Sequence, residues 1–278
     1  MTPPRVTVRN PARRYTIALA ESEWVKPLAY LQCDPTVEGA PPEESAMEVL
    51  RAGAFVRLRE AGAQDREFAT IADLRDHLHS RFFVESLAGN RPLLHAACLR
   101  RHGRRVLLVG PKNAGKSTLS LALAAAGYAI EGDENVFITM AGVIARPRAC
   151  RVKESSFEVL PALAPLATEA PKITDYHGRK IYNIPPDLLG EPWHIALGKV
   201  DVVVLLHANH CGMSSIRTVT SLALTRALMA ETAFPPEGKA LGIAAVAALA
   251  ANAAGYDLSV GALHTAIACI ENVVERLG

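Results

Sequence analysis

The chain has 278 residues, half of them hydrophobic and 21% charged, which excludes disordered and collagen-like classes and leaves room for one large or two ordinary domains. Thirty Lys+Arg against 28 Asp+Glu leave a net charge of +2, far from the basic footprint of a nucleic-acid binder, so no nucleic-acid partner is expected. Five scattered cysteines, odd in number and with no CxxC pair, exclude a disulfide scaffold and a cysteine-rich zinc site and point to a reducing compartment.

Along residues 1–64, short apolar runs (Tyr15–Leu19, Trp24–Leu31) flank the turn-rich segment Cys33–Glu44, and the pattern reads only as a small mixed α/β region. Ile71, Leu74, Leu78, Phe82 and Leu87 recur at mostly three- and four-residue intervals and predict a helix that leads into the next domain. The expected division is an N-terminal region 1–89 and a catalytic domain 90–278. Leu93–Cys98 and Val106–Val109 are apolar runs on either side of Arg101–Arg105 and read as a hairpin. Leu119–Ala126 has helix formers stopped by Gly127, and Tyr128–Ile130 and Val136–Met140 resume as strands. Prolines 147, 161, 165, 171, 185, 186 and 192 mark an insert of loops and short elements. Val202–Leu206 predicts a central strand buried on both faces, and Ser221–Met229, Gly242–Ala254 and Gly261–Leu277 predict helices around the sheet. The one membrane-like stretch, Ala240–Tyr256, contains Asn252 and is shorter than the roughly 20 apolar residues of a span. It reads as a buried helix, no apolar run near the N-terminus is long enough for a signal peptide, and the expectation is a cytoplasmic protein with no membrane partner.

Gly110-Pro-Lys-Asn113-Ala114-Gly115-Lys116-Ser117 fits GxxxxGK[ST], the P-loop or Walker A pattern, and lies between a predicted strand and a predicted helix, as phosphate binding requires. Gly110 and Gly115 let the backbone bend, so that the N–H groups around Asn113 and Ala114 point at phosphate oxygens beside a helix N-terminus. Lys116 reaches the β/γ-phosphates, Ser117 places its hydroxyl on Mg²⁺, and Thr118 caps the helix or touches the α-phosphate. The expected cofactors are therefore ATP and Mg²⁺. The strand Val202–Leu206 runs into His207 and not into the acid that follows the second strand of ordinary P-loop NTPases. Glu131-Gly132-Asp133-Glu134 comes earlier, one short strand beyond the P-loop helix, and is the candidate for metal and base chemistry.

These residues resemble the C-terminal domain of HPr kinase/phosphorylase and the wider group of HPr-kinase-like P-loop kinases. The resemblance runs over Leu94-His95-Ala96-Ala97, Val106–Val109, Gly110–Ser117, Ala126-Gly127-Tyr128 and Gly132-Asp133-Glu134, with His95 fifteen positions before Gly110 and Asp133 seventeen after Lys116. It implies an α/β P-loop kinase domain, a mixed central sheet with flanking helices, preceded by a smaller α/β region. It also implies that Asp133 is the general base toward a substrate hydroxyl, that Glu134 helps to hold Mg²⁺, that His95 lies beside the transferred phosphoryl group, and that the protein is a homo-oligomer. The glycine-rich second signature of HPr kinases has no counterpart; Tyr176-His177-Gly178-Arg179-Lys180-Ile181-Tyr182 stands in the insert instead. The chain therefore resembles the group and not HPr kinase itself. The acceptor this implies is a hydroxyl, most naturally a serine of a protein or peptide, with a small molecule open within the same chemistry. Lys153, from the basic cluster Arg146, Arg148, Arg151 and Lys153, and Arg179 are the candidates for substrate contact. The alternatives are a nucleotide-binding sensor and a P-loop ATPase without phosphotransfer.

Overall fold

The structure is a computed structural model that describes residues 2–9, 13–28, 31, 43–88, 91–145, 150–170, 172–174, 179–184, 186–189, 197–209 and 212–277. The chain forms two compact units, Met1–Gly89 with Pro147–Pro185, and Asn90–Arg146 with Pro186–Gly278. The proline-rich insert therefore belongs with the N-terminal region, although its sequence position is inside the 90–278 segment.

The first unit opens with β1 (Arg5–Arg9), β2 (Arg13–Leu19), α1 (Val25–Leu28), β3 (Glu43–Ala52), β4 (Phe55–Glu60), β5 (Arg66–Phe68) and α2 (Ile71–Ala88). The strands form one sheet in the order β1-β2-β3-β4-β5, antiparallel except for the parallel pair β2–β3. Alternation sets its buried face: Val6, Val8, Tyr15, Ile17, Leu19, Met47 and Val49 point inward at every second position and meet Leu74, Leu78 and Phe82 of α2. The helix start is a reciprocal cap, in which the Asp73 N–H donates to Thr70 Oγ1 (3.1 Å) and the Thr70 N–H to Asp73 Oδ2 (3.0 Å). Trp24 is buried as a packing residue with the Arg51 guanidinium over its ring; Trp193 lies outside the described residues.

The second unit begins with β6 (Leu93–Leu94), β7 (Ala96–Arg101), β8 (Arg104–Val109), α3 (Lys116–Ala125), β9 (Ala129–Gly132), β10 (Val136–Thr139) and β11 (Gly142–Ala145). The insert comes next, with β12 (Cys150–Lys153), α4 (Glu154–Val159), α5 (Leu166–Glu169), β13 (Lys172–Thr174) and β14 (Lys180–Ile184), its strands paired as β12-β14-β13. Ile181 of β14 joins the core of the first unit. The second unit then resumes with β15 (Val202–Ala208), β16 (Ser215–Thr218), α6 (Ser221–Ala230), β17 (Thr232–Ala233), α7 (Lys239–Asn252), β18 (Ala254–Val260) and α8 (Leu263–Arg276).

Its main sheet has the order β16-β18-β15-β8-β7-β9, and a smaller one the order β11-β10-β6-β17. The expected hairpin is present as β7–β8, turning through His102 and Gly103, both at positive φ. The expected single strand Leu93–Cys98, however, breaks at His95, so that β6 and β7 join different sheets. The apolar run conceals this break because both pieces are buried. The strand at 202–206 is central and parallel to β8 and β18 on its two sides. Leu107, Val109, Val203 and Leu205 pack with Leu224 and Leu228 of α6 and Ala245, Val246 and Leu249 of α7. The alternate positions Val106, Leu108, Val204 and Leu206 are equally buried and face α3 and α8. The helix expected over Ala240–Tyr256 ends at Asn252 and gives way to β18, because Gly255, Tyr256 and Val260 have a place in the ladder beside β15. No helix among the described residues is long and apolar enough to cross a membrane.

Two polar devices hold the sheet in register. Asp201 accepts the Arg105 N–H on its carboxylate (2.9 Å), pairs with the Arg104 guanidinium (3.0 Å) and accepts the Ala254 N–H on its carbonyl (2.9 Å), joining the starts of β8, β15 and β18. Arg105 on β8 reaches across β7 to Glu131 on β9 in a buried two-pronged pair, Nε to Oε2 at 2.6 Å and Nη2 to Oε1 at 3.1 Å. Glu131 is the extra residue of a bulge: Leu99 faces Ile130, and Cys98 faces Gly132. Replacing Arg105 by Met would leave the Glu131 carboxylate buried without its guanidinium. The expected loss is about 3–5 kcal/mol of unfolding free energy in denaturant titrations, and Arg105→Met/Glu131→Leu is expected to lose less than Arg105→Met alone.

Candidate functional site

The Gly110–Ser117 loop leaves the carboxyl end of β8 and enters α3, the end of a parallel strand where α/β folds bind ligands. Gly110 is required by a close approach: a Cβ there would stand 2.9 Å from the Leu206 carbonyl oxygen of β15 and 3.2 Å from the Ala114 Cβ. Gly115 caps the helix at φ 92° and Asn113 has φ 71°, so the loop turns twice through the left-handed region before α3 begins. Ala114 is buried, and Thr118 is half-buried in the first turn of α3. Lys116 folds back over its own loop, its Nζ donating to Gly110 O (2.5 Å) and Pro111 O (3.0 Å). Burial pushes its ammonium below the usual lysine range, against the opposing pull of Glu231, Asp133 and Glu134.

The far end of α3 brings the acidic turn to this loop. Gly127, at φ 92°, closes the helix in a Schellman motif, with its N–H on Ala124 O (2.9 Å) and the Tyr128 N–H on Leu123 O (3.0 Å). The chain returns along β9 and ends it at Asp133, which is 1% exposed. Ser117 donates its hydroxyl to Asp133 Oδ2 at 2.8 Å, and the Glu134 N–H donates to Asp133 Oδ1 at 3.0 Å. Glu134 has φ 71°, a conformation that costs a non-glycine residue energy and is commonest at functional turns. Glu131, third acid of the same turn, is spent on Arg105 and on the Cys98 thiol, which keeps it as a structural group.

His95, at the break between β6 and β7, faces the same loop. Burial and the Lys116 charge lower its pKa below 6.5, while Glu134 and Glu231 oppose the shift. Glu231 is the site residue that the sequence pattern missed. Its carboxylate approaches His95 Nδ1 (Oε2 at 3.4 Å), and its carbonyl accepts the His95 N–H (2.9 Å). Glu231 follows an ordinary amphipathic helix 136 residues downstream of His95, and nothing in its local pattern separates it from a solvated charge.

The residues fit a magnesium nucleotide. The Ser117 hydroxyl stands at the loop on Asp133 Oδ2, and the Glu134 carboxylate follows next in the chain, so that Ser117 and Glu134 offer hard oxygen ligands while Asp133 remains beside them. Among the described residues no group of three or more His, Cys, Asp or Glu that could hold a metal ion occurs. The two substrate candidates fall elsewhere: Lys153, opposite Ile181, and Arg179, just before β14, are exposed at one end of the three-stranded β12-β14-β13 sheet, in the first unit. Arg146, Arg148 and Tyr176-His177-Gly178 lie outside the described residues. His207 pairs with Asp257 (Nε2 to Oδ1 3.0 Å), which also holds Arg217.

Among solved structures, the chain is similar to the HPr(Ser) kinase/phosphatase from Coxiella burnetii at 17% identity and a TM-score of 0.36, over 66% of this chain and 92% of that one. No family model and no curated protein matches it.

Two outcomes follow from this geometry. Gly110→Ala forces its Cβ against the Leu206 carbonyl and is expected to cost about 1–3 kcal/mol of stability in urea unfolding. The His95 ring binds its proton less readily folded than unfolded, so as pH falls from 6.5 through the lower folded value the unfolded chain gains protons first. Wild type should therefore lose stability relative to His95→Gln across that window and run parallel to it above and below; parallel curves throughout would contradict the shift.

Proposed function

We propose that the chain is a Mg-ATP-dependent kinase that transfers the γ-phosphoryl group to a hydroxyl, most naturally a serine of a protein or peptide. The observation that carries this reading is the 2.8 Å hydrogen bond between Ser117 of the P-loop and the buried Asp133. Because Glu134 stands beside it, one carboxylate can serve the metal while the other stays as a base, which a loop that only bound nucleotide would not need.

Each residue has a task in that reaction. The loop N–H groups and the N-terminus of α3 hold the phosphates. Lys116 exchanges the Gly110 and Pro111 carbonyls for phosphate oxygens, which replaces two weak acceptors by charged ones. Ser117 holds Mg²⁺ through its hydroxyl oxygen, and Glu134 through water. The ion, when bound, neutralises charge on the β- and γ-phosphates. The Asp133 carboxylate accepts the proton of the attacking hydroxyl. His95 donates to the oxygens of the transferred group, and with Lys116 it stabilises charge that develops in the transition state. The chemistry needs little beyond position and charge. Lys153, on β12, and Arg179, just before β14, are proposed contacts for the acceptor.

The test incubates purified protein with Mg-ATP and lysate of its source, and follows intact masses. Wild type is expected to yield a phosphoprotein or phosphopeptide that Lys116→Ala does not, and Asp133→Asn is expected to slow its formation by about 10²–10⁴-fold. Transfer that survives Asp133→Asn unchanged overturns the assignment. Nucleotide bound and released with no phosphorylated acceptor assigns the site to a sensor or an ATPase.

A further inference from the structure

Glu231 has no part in phosphoryl transfer as proposed, yet the fold goes to some length to bring it to His95. The antiparallel pair β6–β17 sets Ala233 opposite Leu93 and Thr232 opposite Leu94. The next pair in that register is Glu231 opposite His95, and the ladder continues through it, because the His95 N–H donates to Glu231 O at 2.9 Å. Directly opposed residues bring their side chains together, here with His95 Nδ1 3.4 Å from Glu231 Oε2. Both side chains are partly buried, at 38% and 22% exposure. The Glu231 end of the clamp is itself anchored: it caps α6 through its N–H on Leu228 O (3.2 Å), and the neighbouring Thr232 hydroxyl donates to the same carbonyl (2.6 Å).

We infer that Glu231 is a positioning residue that orients the His95 ring by holding its Nδ1–H, so that Nε2 is the nitrogen turned to the transferring phosphoryl group and, once the ring takes up a second proton beside the phosphate anions, donates from Nε2–H to their oxygens. The inference rests on the phosphoryl-transfer reading of the site. A carboxylate only accepts hydrogen bonds, so a ring that leans on Glu231 through Nδ1 keeps its proton there. A histidine fixed on one nitrogen by a carboxylate presents the other in a defined direction, which is how such partners orient ligating and catalytic imidazoles. The 3.4 Å separation is long for a hydrogen bond, in keeping with catalytic contacts that tighten once ligand is bound. The charged groups that face His95 are Lys116 of α3, Glu134 of the acidic turn and Glu231 itself; Glu231 alone shares the main-chain pairing and reaches Nδ1.

The experiment is ¹⁵N NMR of the full chain with ¹⁵N-labelled histidine, at a pH where the rings are neutral, without nucleotide and then with Mg-ADP. Wild-type His95 is expected as the Nδ1–H tautomer, and Glu231→Gln as a mixture with Nε2–H at comparable population. Glu231→Asp, which keeps the carboxylate, should restore the wild-type tautomer in part. In Mg-ATP turnover, Glu231→Gln should lower kcat about 10–100-fold, with KM changed by no more than about twofold. A wild-type ring protonated on Nε2, or a tautomer indifferent to Glu231→Gln, overturns the inference; the first outcome needs no variant to fold. Because the tautomer is read without nucleotide, it stands or falls separately from the kinase reading, which fails if the chain does not bind Mg-ATP.

Discussion

The arrangement of the site depends on a buried ion pair that takes no part in the chemistry. Arg105 and Glu131 span three strands, from β8 across β7 to β9, and do so in the interior, where the pair must satisfy its own hydrogen bonds to offset the loss of water. β8 leads into the Gly110–Ser117 loop and β9 into Asp133. With the two strands tied, the loop and the acid are held at a fixed separation, and Ser117 and Asp133 meet at hydrogen-bond distance. The bulge at Glu131 serves the same end. One extra residue in β9 lets Glu131 turn to Arg105 while Asp133 two positions later still reaches the loop.

Around that frame the electrostatics are arranged in opposition. Lys116 and His95 are both buried enough to lose basicity, and the carboxylates Asp133, Glu134 and Glu231 work against that loss. Three carboxylates thus stand around the Gly110–Ser117 loop and make the potential there more negative. The lysine meanwhile rests on two carbonyls of its own loop.

Much of the site could be read from the chain because its parts are local. The P-loop needs glycines at fixed offsets between a strand and a helix, and Gly110 and Gly115 stand where the close approach to Leu206 and the left-handed cap require them. The α3–Gly127–β9 unit then carries the chain to Asp133, seventeen positions after Lys116. The hairpin β7–β8, the helix α2 and the central strand β15 were equally visible, since each satisfies its own periodicity. The break at His95 was not, because β6 and β7 are buried alike and nothing in Leu93–Cys98 marks a change of sheet. Nor was β18, whose apolar pattern continues from α7 and becomes a strand only because β15 offers a free edge to pair with.

By itself the sequence marked out the Gly110–Ser117 loop, the helix behind it and the acidic turn, and with them Lys116, Ser117, Asp133, Glu134 and His95 as candidates, because each pattern depends on neighbours a few positions away. Only the tertiary structure decided which acid serves which purpose: Glu131 goes to Arg105, Asp133 to Ser117 and Glu231 to His95. It also decided that the insert carrying Lys153 and Arg179 belongs with the N-terminal region. These are questions of which distant strands pair and in what register, and a carboxylate's role follows from the partner that the pairing puts within reach.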